Sequence, residues 1–227
     1  MDSRLKRILL NILNSIITVV IMIVTFFALV NIVFNFVYIK TNVRGFSMRP
    51  TLNANVLTED QDGDKVYINP YRDYTNGDIV VAEVSWWDRG YIIKRLIGMP
   101  GDVVQIKENE TQYVLYVNNE EFYRKDKMNS ETNEVDIDVR YYYEDYLAFI
   151  NNPLNADHVI TNEAGERCIK LGEDEYFLMG DNWAESTDCV VHGPVNKSSI
   201  LGKVEIIIHY GENEFRTMLK NMWDILF

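Results

Sequence analysis

The hydrophobic pattern along this chain changes period once. From Ile8 to Ile39 there is no charged residue, and Ile, Val, Leu and Phe dominate. A helix needs about 20 apolar residues to cross the hydrocarbon core of a bilayer, so this run suffices with some tilt or overhang. Asn11, Asn14, Asn31 and Asn35 soften its ends, which places the span at about Ile12 to Phe34. A cleaved secretory signal would have a shorter core and a small-x-small exit. The run leads instead into the bulky "NFVYIKTNVRG", so a retained anchor is expected. Arg4, Lys6 and Arg7 precede the span and Lys40 and Arg44 come after it. That slight cationic excess predicts a single-pass protein with its N-terminus in the cytoplasm and its larger part outside.

Beyond the anchor the apolar residues fall into short runs: "KVYINPY", "DIVVAEV", "YIIKRLIG", "DVVQI", "YVLYVNNEEF", "YFLMGD" and "VEIIIHY". Rich in Val, Ile and Tyr and separated by Gly, Asn and Asp, they read as strands joined by turns. The expected fold is mainly β, an antiparallel sheet domain behind one transmembrane helix. Three regions are expected: an anchor over 1–40, a β-rich domain over 41–210, and an amphipathic helix over 211–227. The last has Phe215, Met218, Leu219, Met222, Trp223 and Leu226 at helical spacing, for packing on the domain or for the membrane surface. Residues 125–172, rich in Tyr, Asn and acids, look like an insert or cap with one helix in "YYYEDYLAFINN".

Charge narrows the function classes. The formal net charge is −12, which argues against a nucleic-acid partner, because phosphate binding needs a cationic face. The two cysteines, Cys168 and Cys189, allow one disulfide, but nothing in the sequence brings them together, and free thiols are expected. "EDQDGDK" has acids at calcium-loop spacing, yet its glycine is misplaced and the closing glutamate is missing. A polar turn is expected there. "NET" at Asn109 and "NKS" at Asn196 match the glycosylation pattern, which chance produces readily. With no phosphate-cradling glycine loop and no Cys/His spacing, neither cofactor nor metal is expected.

The candidate chemistry begins at "GFSMRPTL", where Ser47 sits in a polar turn after the anchor. A serine hydroxyl is a poor nucleophile unless a base takes its proton. Of the three histidines, none lies in a segment built for a triad, and His209 in "EIIIHY" reads as structural. Lys94 in "YIIKRLIGMPGD" is the stronger candidate, since strand alternation places it with Ile92 and Leu96. Apolar surroundings disfavour the ammonium and lower its pKa towards the range where a neutral amine exists. The neighbouring Arg95 cannot serve, because guanidinium stays protonated. Taken alone, Lys94 also fits an ordinary surface or ion-paired lysine.

"SMRPTL", "NGDIVV", "KRLIGMPGD" and "GDNWAESTD…HGPV" come after the anchor in an order that resembles the type I signal peptidases, membrane-bound serine proteases with a Ser-Lys dyad. The resemblance runs from Val43 to Val204, apart from the insert. It implies that Ser47 is the nucleophile and Lys94 the general base, with Ser186 orienting the lysine and Asp188 supporting the site. It implies a nucleophile turn shaped by Met48 and Pro50, and a substrate groove formed by Met48, Ile79, Val80 and Val81 after the Gly77–Asp78 turn. The oxyanion would take the Ser47 N–H; the second hydroxyl donor of some members corresponds to Gly45, which has none. The implied substrates are secretory preproteins cut after a small-x-small motif near membrane lipid.

Two departures from the family pattern matter. Its arginine after "GDN" is Trp183 here, and the Ser-Arg after the aspartate is Cys189-Val190. An arginine at 190 would pair with Asp188, so another partner is expected for that carboxylate, from Arg167, Lys170, Lys203 or a rearranged loop. The reading from another class is a membrane-anchored peptide-binding or assembly protein that holds extended segments by strand addition without cutting them. A self-cleaving regulator is disfavoured by the N-terminal span and the lack of a DNA-binding segment.

Overall fold

The computed structural model describes residues 3–88, 90–108, 113–122, 140–214, 216–218 and 220. It separates into two units, 1–39 and 40–227. In the first, the charge-free run forms α1 (Ser3–Val37), a helix long and apolar enough to cross a membrane. At 1.5 Å per residue it is roughly 50 Å long, more than the ~30 Å of a hydrocarbon core. Its polar side chains find partners one turn back. Ser15 Oγ donates to Asn11 O (3.0 Å), Thr18 Oγ1 to Asn14 O (2.9 Å), and Asn35 Nδ2 to Asn31 Oδ1 (2.8 Å). Satisfied within the helix, these groups cost little in an apolar surrounding.

The second unit is built on two antiparallel sheets. The larger contains β1 (Ile39–Asn42), β2 (Lys65–Asn69), β3 (Ile79–Glu83), β4 (Tyr91–Gly98), β10 (Glu175–Met179), β11 (Val195–Asn196) and β12 (Ile200–Ile208). Its order is β1-β2-β12-β3-β4-β10-β11. The smaller, in the order β7-β6-β5-β9-β8, contains β5 (Val103–Glu108), β6 (Tyr113–Val117), β7 (Glu120–Glu121), β8 (Val159–Thr161) and β9 (Arg167–Lys170). Two helices, α2 (Arg140–Asn151) and α3 (Cys189–His192), complete the unit.

Alternation along β3 and β4 divides the interior in two. Val80, Ala82, Ile92 and Leu96 face a large core that includes Ile106, Leu115, Ile169 and Phe177 and is covered by Tyr146, Phe149 and Ile150 of α2. Ile79 and Val81 face a smaller cluster with Val43, Met48, Leu52, Val66, Ile68 and Val204. Strands such as β3 therefore show no polar face in the sequence, because both faces are covered.

The seven runs expected as strands all pair, and the "YYYEDYLAFINN" helix is α2 within a residue. Four short strands, β1, β8, β9 and β11, carry too few residues for a period to show. The segment expected as a cap is partly structural: β8 and β9 extend the smaller sheet, and Cys168, Ile169 and Leu171 are buried. Residues 125–139 of that segment, and 215, 219 and 221–227 of the expected terminal helix, lie outside the described residues. Cys168 and Cys189 are free and buried.

Gly98 marks where the two sheets meet. A Cβ there would stand 2.7 Å from Leu171 Cδ1 and 2.9 Å from Val104 Cγ2, contacts no rotamer change at Gly98 can relieve. Gly98→Ala is expected to destabilise the unit by about 1–3 kcal/mol through overpacking. Thermal unfolding followed by circular dichroism should show Tm lower by several degrees. An unchanged Tm would mean that the sheets separate freely at this point.

Candidate active site

The turn after β1 is cross-braced before any chemistry is considered. Asn53, fully buried, accepts the Asp64 N–H at its side-chain oxygen (2.8 Å) and donates Nδ2 to Val43 O (3.2 Å) and Gly45 O (2.9 Å). Asp64 in turn accepts from the N–H groups of Asn53 and Tyr210 and lies 2.9 Å from His209 Nδ1. His209 is structural here, as its strand setting predicts. Beneath the turn Met48 and Leu52 are buried in the smaller core, which holds Ser47 up at the surface.

A second brace comes from the far side of the domain. Asn182 donates its N–H to Ser47 O (2.9 Å) and its Nδ2 to Phe46 O (3.1 Å). Asp181, buried beside it, takes Arg95 in a fork, Nε to Oδ1 at 2.9 Å and a terminal nitrogen to Oδ2 at 2.7 Å. Thr51 Oγ1 donates to the same carboxylate (2.5 Å), and Arg95 also donates to Gly77 O (2.6 Å). One ion pair thus ties the Ser47 turn to β4 and to the turn before β3. Sequence reasoning sets Arg95 aside as a base and gives Thr51, Asp181 and Asn182 no role. Their signal is present in "SMRPTL", "KR" and "GDN", but only the fold makes them neighbours.

Ser47 and Lys94 line one cleft of about 390 Å³, together with Thr41 to Phe46, Val81, Trp87, Tyr91, Ile93, Glu185 and Thr187. Among the described residues neither Ser47 Oγ nor Lys94 Nζ has a hydrogen-bond partner. Lys94 is only 4% exposed. Burial pushes its pKa down from 10.5 to about 8, opposed chiefly by the negative charge of Asp188. Cys189 also lies near, but burial pushes its thiol up, so it stays neutral; Asp188, with a smaller contribution from Asp181, is the negative charge that Lys94 feels.

Asp188 is satisfied without any of the three cations named as candidate partners. Its Oδ2 accepts from Gly180 N–H (2.8 Å) and Ser186 Oγ (2.7 Å), and Oδ1 from Val190 N–H (3.1 Å) as the N-cap of α3. Arg167 binds Asn151, Lys170 binds Gly101 O, and Lys203 pairs with Asp78. The loop itself supplies the donors, so Val190 can be a buried core residue. Trp183 packs against the large core. Ser186 has its hydroxyl on Asp188 rather than on Lys94, and its oxygen keeps acceptor capacity.

Of the four residues expected to form the groove, Val81 lines it. Met48 and Ile79 are buried in the smaller core, and Val80 points through the sheet into the larger one. Period two accounts for Val80, which lies on the opposite face of β3 from Val81; Ile79 shares the face of Val81 but, like Met48, is packed within the smaller core and does not line the cleft.

The walls of the cleft have unpaired backbone. The Val43 and Gly45 N–H groups donate to Asp64 O (2.8 Å) and Glu59 O (3.0 Å), while the intervening Arg44 N–H donates to no group among the described residues. On the opposite wall β4 pairs with β3 through Tyr91, but among the described residues its pairing with β10 stops at Arg95↔Met179. Val84 donates to Gly90 O and Leu96 to Asp78 O, which turns the even-numbered residues of β4 towards β3. Ile93 therefore presents its N–H and C=O to the cleft.

Among known proteins, a family model described as signal peptidase, peptidase S26, matches residues 16–209. A signal peptidase I P of Bacillus subtilis subsp. natto is 29% identical over 188 residues, 79% of this chain and 81% of its own length. A second signal peptidase I P of that organism is 33% identical over 159 residues, 68% of this chain and 67% of its own. The crystal structure of a signal peptidase I from Enterococcus faecalis V583 is 23% identical and superposes with a TM-score of 0.35, covering 58% of this chain and 97% of that one.

Gly180 is where the site is tightest. A Cβ there would lie 2.2 Å from Ser186 Oγ and 2.5 Å from Ser47 O. Gly180→Ala should shift both and lower the rate of peptide hydrolysis about 100-fold, the cost of misplacing a reacting group by about 1 Å. Far-UV circular dichroism should change little. Full activity in this variant would show that the Ser47 turn needs no such approach.

Proposed function

The chain belongs to the signal peptidase family, peptidase S26, and on that premise we propose that it is a membrane-anchored Ser-Lys endopeptidase that removes signal peptides from secreted preproteins. The observation that carries the reading is the pairing, in one cleft, of an exposed-turn serine with a buried lysine whose pKa has fallen to about 8. A protonated lysine is a poor base, and burial removes that obstacle near neutral pH.

Substrate binding is argued from the walls. An extended segment entering the cleft completes the backbone pairing that Arg44 and Ile93 leave open, as in strand addition, and Val81 and Ile93 form its apolar floor. The small-x-small sites of the family imply that small side chains lie against this floor. The helix α1 serves as the anchor, with the domain on the outer side of the membrane.

In the chemical step the Lys94 amine accepts the Ser47 proton while Oγ bonds to the scissile carbonyl carbon. The Ser47 N–H, which donates to no group among the described residues, is placed to take the oxyanion. Collapse expels the amine of the mature protein, which carries away the proton held by Lys94. Water then gives a proton to Lys94 and attacks the acyl carbon. Ser47 leaves, recovers its proton, and the signal peptide is released as a carboxylate. Asp188 holds Ser186 beside the lysine, where the hydroxyl oxygen can accept from the ammonium formed midway. Asp181, Arg95, Thr51 and Asn182 keep the Ser47 turn in place.

The lysine sets the pH dependence. Below about 8 the ammonium predominates and cannot take the serine proton. Above it the amine predominates, so kcat/KM should rise with pH as a single-proton step through that value. Lys94→Ala should lose roughly 100- to 10,000-fold, and Ser47→Ala should fall to background. The measurement is release of a mature N-terminus from a detergent-solubilised preprotein, followed by mass spectrometry. Undiminished cleavage by Lys94→Ala would sink the dyad. Binding of the preprotein without cleavage by the parent chain would favour the peptide-holding alternative.

A further inference from the structure

Two large aromatic side chains of the cleft stand apart from the rest of its lining. Trp87 is 44% and Tyr91 55% exposed, whereas the other apolar lining residues are buried or partly so. Nearby aromatics are already used: Trp86 stacks on His192 with ring centroids 4.2 Å apart, and Trp183 packs on the large core. Trp87 and Tyr91 also sit on a closed hairpin, where Val84 donates to Gly90 O and Gly90 to Trp87 O, both at 2.8 Å. Their backbone is therefore set before any ligand arrives.

Their position along the cleft gives them a task. Tyr91 lies three residues from Lys94 on β4, roughly 10 Å at about 3.3 Å per residue, and the Trp87 turn lies further on. Tyr91 shares the cleft-facing row with Ile93, whose backbone edge is open. A peptide extended along that edge, with its scissile carbonyl at Ser47, passes the two rings several residues from the bond. We infer that Trp87 and Tyr91 form a subsite for a bulky apolar side chain of the preprotein, four to six residues upstream of the scissile bond. This rests on the peptidase reading above and adds a second determinant to it.

The upstream side is favoured by what the substrates share. Mature sequences differ from one preprotein to the next, so a built apolar contact would serve few of them. The segment before the bond always ends an apolar run, and burying one of its side chains between exposed rings removes apolar surface of both from water. Small residues next to the bond leave no large side chain to contribute there. The rings supply at a distance the contact that the floor cannot.

The test uses synthetic preprotein peptides with one Ala-x-Ala site and Phe, Leu, Gln or Asp at the fourth, fifth or sixth residue before the bond. The full chain in detergent should cleave the best-placed Phe or Leu peptide with kcat/KM about tenfold above Gln, the difference lying in KM. Trp87→Ala and Tyr91→Ala should each reduce this preference, and the double variant should abolish it. The Ala-x-Ala requirement and kcat should stay. Cleavage with no preference at any of the three positions, or a preference that survives the double variant, overturns the subsite and leaves the peptidase reading intact. No cleavage of any peptide by the parent chain overturns both.

Discussion

A lysine ammonium removed from water is the constraint on which the rest of this site depends. Lys94 is buried because β4 is a central strand whose even-numbered residues enter the large core. Burial alone would push the amine far down; the Asp188 carboxylate limits the fall and keeps the value near 8. That carboxylate must itself be held inside the protein, and two backbone N–H groups and the Ser186 hydroxyl do so. Two buried charged groups and a half-buried hydroxyl are thus arranged so that one of them can change protonation near neutral pH.

The same region explains why the serine turn is rigid. On the proposed reading Ser47 is a nucleophile, which needs its backbone fixed more than its side chain, since Oγ must stay free to react. Here the carbonyls of Phe46 and Ser47 are taken by Asn182, and the turn is tied to β4 through Thr51, Asp181 and Arg95. Such a buried, forked ion pair adds little net stability compared with a well-packed apolar substitute, but losing one partner leaves a buried charge uncompensated. Its value on the proposed reading is geometric. It sets Ser47 and Lys94, which are far apart in sequence, in a common frame.

Much of this is legible in the chain. The long apolar helix shows as a charge-free run, the main strands as Val- and Ile-rich segments between turns, and Ser47 and Lys94 as members of four ordered motifs. The groove is misread at Val80, because both faces of β3 are apolar and a pattern without contrast does not tell which face meets a ligand. At Asp188 the sequence leaves three cations and a rearranged loop open, and only the fold selects the loop, since backbone donors leave no trace in residue type.

The sequence by itself determined the apolar helix, the β-rich class and the residues available for chemistry, because local period and composition express these directly. Tertiary structure alone decided which of those residues meet. The ion pair of Arg95 with Asp181, the depressed amine of Lys94, the open backbone edge at Ile93 and the exposed rings of Trp87 and Tyr91 all arise from contacts between segments distant in the chain. Burial and neighbouring charge are properties of the packed interior, and no run of residues carries them until the strands are paired.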